Sequence, residues 1–305
     1  MAANILVGTA SWTDPTLLKS GRFYPPGTNT ADARLRYYAE RFPIVEVDSS
    51  YYALPSYRNA ELWVERTPAS FVLNIKVFRF FTHHQTQLKV LPANVQAALG
   101  DWSGNLYYED APNEVKDELW RQFTLSLEPL VQAGKLGTLL FQFPKWFIVR
   151  RTSLEHLREI RARLPQHPIA IEFRHESWFS EKYRERTLAF ERECGFSNVT
   201  VDEPQLPGSI PTVWEPTNPD LGLFRLHGRN AQTWNKKGLQ SASDRFNYDY
   251  TEQELAGFVP QVFALARQVK QVHVILNNNL EDQGVRNART LMDLLGRAAP
   301  EQGHA

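Results

Sequence analysis

The sequence predicts an α/β fold, a single TIM-type (β/α)8 barrel spanning residues 1–300 with long loops after strands three and seven. Two observations carry that prediction. Eight short β-branched and apolar runs recur along the 305 residues, and helix-like segments fall between them. The strand runs are mostly continuous in apolar residues and turn polar at their C-terminal ends, as parallel strands buried on both faces do.

In order, the strand runs are ILVGTA (5–10), IVEVDSSYY (44–52), FVLNIKVF (71–78), GTLLFQF (137–143), IAIEFR (169–174), NVTVDE (198–203), LGLFRLH (221–227) and VHVILNN (272–278). Helical periodicity covers 30–42, 56–67, 114–134, 153–164, 180–195, 251–270 and 284–298. Start signals stand at Thr152 or Ser153 before Glu155, at Ser180 before Glu181, and at Thr251 three residues before Glu254. Gly134 and Gly195 supply stops. Parallel strands joined by helices require right-handed crossovers, and seven or eight such units close into a barrel. A doubly wound open sheet is the alternative, and it lacks the glycine fingerprint expected after its first strand. Residues 79–113 and 228–250 break the rhythm, each following a strand, and read as lids over the mouth. Residues 301–305 read as a frayed tail.

Composition narrows the function. Hydrophobic residues make up 42% of the chain, with 8 Trp and 18 Phe, enough for a large core. The 34 basic and 34 acidic side chains cancel, so no overall field favours a polyanion, and nucleic-acid binding would require a local basic patch. The lone Cys194 excludes an internal disulfide or a thiolate metal cage. No window reaches the roughly 18 apolar residues of a membrane span, and the N-terminus has no signal-like basic region, so the expectation is a cytoplasmic protein without a membrane partner.

Side chains two apart on a strand share a face, and a barrel's interior opens at the strands' C-terminal ends. That places Glu46 and Asp48 on strand two, Asn74 and Lys76 on strand three, Gln142 on strand four, and Glu172 and Arg174 on strand five. Asp202 follows on strand six, Arg225 and His227 on strand seven, and Asn277 or Asn278 on strand eight. Single pairs, such as Glu46 with Lys76 or Glu172 with Arg225, have an alternative reading as structural ion pairs. Polar ends on most strands together are how this fold builds a site. Glu172, Asp48 and Asp202 are then the candidate acids and bases, with His227 as proton carrier. Lys76, Arg174, Arg225 and Arg229 are donors for an anion such as phosphate. Glu46, Gln142, Asn277, Asn278, Trp12, Tyr51 and Trp178 complete the expected binding surface, and Tyr52, Phe173 and Trp234 crowd the same rim. No HExxH, P-loop, GxSxG or CxxC pattern occurs, so no cofactor is expected. A divalent metal on His227, His175, Glu172 and Asp202 stays open as chemistry without support from spacing.

Several phrases are specific together: GTASW (8–12), FYPP (23–26), VEVDSSYYALP (45–55), FQFP (141–144), IEFRHESWF (171–179), FRLHGR (224–229) and NNN (277–279). Nearly end to end, the chain resembles the domain-of-unknown-function 72, or YecE-like, family. The resemblance implies a TIM-type barrel of unsettled activity, similar in shape to endonuclease IV and sugar isomerases. The histidine-rich zinc ligand set of endonuclease IV is missing from this sequence. Three functions follow as expectations: an enzyme with hydrolase-like chemistry on a phosphate-bearing substrate such as a nucleotide or nucleic acid, a nucleic-acid or nucleotide binding module without turnover, and a sugar or sugar-phosphate isomerase or hydrolase.

Overall fold

The structure, a computed structural model, describes residues 4–299 apart from 237, 240 and 242. The expected frayed tail at 301–305 lies outside the described residues. Eight parallel strands close into one barrel: β1 (Asn4–Ala10), β2 (Ile44–Val47), β3 (Val72–Lys76), β4 (Leu136–Gln142), β5 (Ile169–Glu172), β6 (Ser197–Asp202), β7 (Leu221–Leu226) and β8 (Gln271–Leu276). Neighbours pair in chain order, and β8 returns to β1 with Ile5 opposite Val272 and Thr9 opposite Leu276.

Seven helices cover the outside: α1 (Ala31–Ala39), α2 (Tyr57–Glu65), α3 (Asn113–Gln132), α4 (Arg151–Arg163), α5 (Arg184–Cys194), α6 (Glu252–Ala266) and α7 (Gln283–Ala298). Between β6 and β7, residues 203–220 cross without a helix. There Thr200 and Thr212 bond to the backbone carbonyls of Val213 and Val201, so hydroxyls tether the crossover to the strand. Thr251 and Glu254 form the expected capping box on α6. The start signal at 152–153 is displaced: α4 begins at Arg151, and Ser153 Oγ instead donates to Ile148 O. Likewise α5 begins at Arg184 rather than near Ser180. No helix of the described residues is long and apolar enough to cross a membrane.

Two expectations change. Strand two ends at Val47, not at residue 52, because Ser50 Oγ donates to Val47 O and lies 2.7 Å from Lys76 O as well, curling Ser49–Tyr52 into one helical turn. Residues 79–113 are a packed excursion rather than an open lid. They hold a 3-10 turn (Arg79–Thr82), a short helix (Ala93–Leu99) and a two-stranded ribbon of Thr86–Gln87 with Asn105–Leu106. Phe80, Phe81, Val95 and Leu106 are buried, and Phe81 stacks on Trp120 of α3 at 3.8 Å between centroids.

Close strand contact sets one glycine. A Cβ on Gly8 of β1 would stand 2.0 Å from the Ile44 carbonyl oxygen, so any side chain there pushes β1 off β2. Gly8→Ala is expected to cost about 2 kcal/mol or more. Gly257→Ala, on α6 with nothing within 4 Å of the new methyl, is expected to gain up to about 1 kcal/mol. Urea unfolding of the two variants checks this, and equal midpoints would contradict it.

Candidate functional site at the barrel mouth

The barrel axis is polar. Lowest lies His273, whose Nδ1 is 3.0 Å from Asn74 Oδ1 and whose Nε2 is 2.9 Å from Gln271 Oε1. Above it, the fully buried Arg225 of β7 binds two glutamates. Its Nε and Nη2 donate to Glu46 at 3.0 and 2.6 Å, and its Nη1 donates to Glu172. Glu46, Glu172 and Arg225 have no exposed surface, so each depends on the others for the solvation it lost.

Glu172 is saturated. Besides Arg225 on Oε2, its Oε1 accepts from Gln142 at 2.6 Å, Arg174 Nη1 at 3.0 Å and His227 Nε2 at 3.1 Å. Burial alone would raise its pKa, but Arg225, His227 and Arg174 together hold it well below the usual carboxylate range. Burial wins at Glu46, which is raised despite Arg225. His227 faces a carboxylate through Nε2, which therefore carries the hydrogen, while Nδ1 accepts from Asn277 Nδ2 at 2.7 Å. Burial, helped by Arg225, pulls the imidazole down to about 3 against the pull of Glu172. The ring is neutral at physiological pH.

These facts correct several expected roles. Glu172 and His227 are a sealed carboxylate and a neutral imidazole, and neither has a free atom to offer as acid, base or proton carrier. Arg225 spends its fork on two carboxylates and is no clamp for a ligand. Glu172 with Arg225 is the structural pair foreseen as an alternative; Glu46 with Lys76 is not, since Lys76 Nζ binds Asp48 Oδ1 at 2.7 Å. Asp202 alternates to the outer face of β6, where it takes Arg229 at 2.8 to 3.0 Å and the Tyr250 hydroxyl at 2.6 Å, so that pair stands outside the cluster. Asn278 also faces outward, donating to Tyr248 O and Asn287 Oδ1. Trp178 is fully buried against Phe173, its indole donating to Phe147 O, and Trp12 packs edge-on against Trp63 under α2. Those rings are wall, not binding surface. Among the described residues no group of three or more His, Cys, Asp or Glu is arranged to hold a metal ion.

What the structure does gather at the mouth is a shell of donors around Tyr51. Lys76 Nζ and the Arg79 guanidinium lie 4.6 and 5.3 Å from its ring centre, and the His84 ring packs edge-on to it at 5.3 Å. Burial first, then Lys76, Arg79 and Arg174, push His84 down to about 3. Arg174 reaches Glu203 Oε2 at 3.0 Å through Nη2 and lies 5.0 Å from the ring centre of Trp234. Trp234, on a single helical turn (Ala231–Trp234) of the second long loop, is buried 6.1 Å from His227 and roofs the cluster. Lys145 Nζ donates to Asn235 Oδ1 at 3.0 Å, pinning that roof.

The profile described as "Protein of unknown function DUF72" matches residues 6–304. The chain belongs to the DUF72 family. The UPF0759 protein YunF of Bacillus subtilis (strain 168) is 34% identical over 294 residues, 95% of this chain and 94% of that one. A crystal structure of a DUF72 protein from Enterococcus faecalis V583 superposes with a TM-score of 0.78 at 31% identity, covering 96% of this chain and 95% of that one. One from Thermotoga maritima MSB8 gives 0.75 at 30% identity, covering 96% and 99%. The barrel shared with those DUF72 structures is the TIM-type barrel that the strand count predicts.

Sequence reasoning missed Arg79, His84, Lys145 and Glu203 as mouth residues. Arg79 follows Lys76 by three, and Lys145 comes directly after FQFP. The signal was position just past a strand end, where alternation stops being a guide.

Two predictions follow from the axis. Arg225→Met should destabilise by about 3 to 5 kcal/mol because it strands two buried carboxylates, and Arg225→Lys should rescue little, since one ammonium cannot bridge both; chemical denaturation reads both. His227 and His273 drop from 6.5 to about 3 on folding, so between those pH values the unfolded chain binds more protons. Stability is complete above 6.5 and declines as pH falls, each ring adding about 1.4 kcal/mol per unit to the slope. A urea midpoint independent of pH from 6.5 to 4 would refute it.

Proposed function

We propose that this DUF72 barrel binds a phosphate-bearing substrate at its mouth and acts on it with the Asp48 and Lys76 pair as acid and base. One observation supports this most. Arg79 Nε, Arg174 Nε and Trp234 Nε1 are buried N–H donors with no acceptor among the described protein atoms. Each such donor costs about 1 to 3 kcal/mol, and an anion with acceptor oxygens in several directions satisfies them together. Charge agrees. The axial cations are matched to carboxylates, whereas Arg79 and Lys145 have no carboxylate within ion-pair distance among the described residues. A free phosphate group or the phosphate of a nucleotide or nucleic acid fits the same donors, with Tyr51 and the exposed Trp146 as flat surfaces.

Of the carboxylates expected to be catalytic, Asp48 alone has an uncommitted oxygen and partial exposure at the mouth. Lys76 holds it in place and supplies the complementary proton. One fact favours the second reading, a binding module: the groups chemically best suited to proton transfer, Glu172 and His227, are locked into the axis.

Calorimetric titration with inorganic phosphate and a nucleoside monophosphate should show binding that Arg79→Ala weakens at least tenfold. Phosphomonoester turnover, assayed on p-nitrophenyl phosphate, should fall at least a hundredfold in Asp48→Asn while phosphate affinity stays within threefold. Affinity without turnover in the wild type would leave the binding module; no phosphate affinity would remove both. A salt slope near that of a single phosphate contact would exclude a nucleic-acid track, which needs several.

A further inference from the structure

Beside the donor shell lies a second space with different chemistry. A cavity of about 310 Å³ is lined by Ser11, Thr13, Asp14, Asp48, Ser49 and Tyr52, with Ser241 and Ser243 of the second long loop closing it. It opens where β1 and β2 end, so it belongs to the same face as the donors. Asp48 is common to both: one oxygen binds Lys76 at 2.7 Å, and the residue lines the cavity. Tyr52, which lines it too, packs edge-on to Tyr51 at 5.1 Å, and Tyr51 carries Lys76 and Arg79 on its ring. One side chain therefore separates the cavity from the cations.

Most of the cavity's polar side chains are hydroxyls, with the carboxylates of Asp14 and Asp48 beside them. Thr13 Oγ1, Ser49 Oγ and the Tyr52 hydroxyl make no hydrogen bond among the described residues, whereas Ser11 Oγ accepts from Thr13 N at 3.1 Å and keeps its own hydrogen to donate. Asp14 is not free. Its Oδ1 accepts from Thr16 N and Oγ1 at 2.8 and 2.6 Å, and its Oδ2 from Ser243 Oγ and Asn279 Nδ2 at 2.8 and 3.2 Å. It braces the wall by joining the β1 loop, the β8 loop and the second long loop. Ser11 has φ +71°, a left-handed conformation that a non-glycine residue keeps only when its surroundings enforce it, and such strain gathers at ligand sites.

Donor-acceptor hydroxyls and one uncommitted carboxylate oxygen set in a largely carbon-lined wall, with Tyr52 48% exposed, suit a ligand that carries hydroxyls as well as C–H surface rather than a second anion. They suit vicinal hydroxyls, which donate to the carboxylate, exchange hydrogen bonds with serine and threonine, and present C–H faces to an aromatic ring. We infer that the cavity takes the polyhydroxyl part of the ligand, so the substrate class is a sugar or polyol phosphate. This rests on the proposed phosphate site and specifies what is attached to it. The cavity holds a pentose-sized group, and the flat Tyr52 face is the side on which its ring lies.

The test compares ligands and variants by calorimetry. Ribose 5-phosphate should bind the wild-type protein at least tenfold more tightly than inorganic phosphate does. Tyr52→Ala, at an exposed position, and the isosteric Thr13→Val should each cut that advantage at least threefold. Phosphate binding with no gain for ribose 5-phosphate, or a gain that both variants keep, overturns the polyol assignment and leaves the phosphate site standing. Failure of both ligands to bind, with ribose alone also silent, overturns the two together. Ribose 5-phosphate binding that Arg79→Ala does not affect, while Tyr52→Ala abolishes it, keeps the polyol cavity and rejects the phosphate site.

Discussion

Everything at this mouth depends on Arg225 holding Glu46 and Glu172 in the buried centre of the barrel. Most barrels of this type fill the axis with branched apolar side chains. Here a cation with two anions occupies the middle, and the exchange is costly unless the fork geometry is met. Once met, it fixes the rotation and height of β2, β5 and β7 relative to one another, because a guanidinium donates to carboxylates only in its own plane. The ladder above inherits that order. Glu172 positions Gln142, Arg174 and His227, and His227 positions Asn277. A polar axis therefore does for specificity what apolar packing does for stability, and the surrounding aromatic and aliphatic shell supplies the burial.

Charge sorting separates two zones that the sequence presents as one. Within the axis every cation has a carboxylate, so the interior has little field to spare. The surplus sits three residues farther along the chain, on Arg79 after Lys76 and on Lys145 after Gln142, and on the unused Nε of Arg174. Roles exchange as a result. Glu172 and His227, whose types invite catalysis, are structural, whereas Arg79 and Lys145 near the rim have no carboxylate within ion-pair distance among the described residues.

The fold was legible because its signals are local and repeated: eight apolar runs with polar tips and helices between them leave few topologies. Much of the site was legible as well. Alternation placed Glu46, Gln142, Glu172, Arg225, His227 and Asn277 on a common axis, all of them on strands or one residue past their ends. It failed at Asp202 and Asn278, where being one residue out of phase sends a side chain to the outer face. It failed more quietly for roles. Which carboxylate is saturated depends on how many donors reach it from other strands, and Glu172 receives four from β4, β5 and β7, a number no spacing in the chain records.

One arginine treats the two glutamates unequally. Glu46 takes two of the three bonded guanidinium nitrogens yet has fewer other donors, and burial lifts its pKa; Glu172 takes one and gathers three more from neighbours, and its pKa falls. The denser set of donors thus lies on the side of β5, toward Arg174. Arg174 is drawn inward by Glu172 and outward by Glu203, which sets its plane across the Trp234 ring and leaves Nε without a partner. Glu172 at the bottom of the cluster thus holds one end of a guanidinium whose Nε meets no acceptor among the described residues at the top, and that contact links the closed axis to the rim.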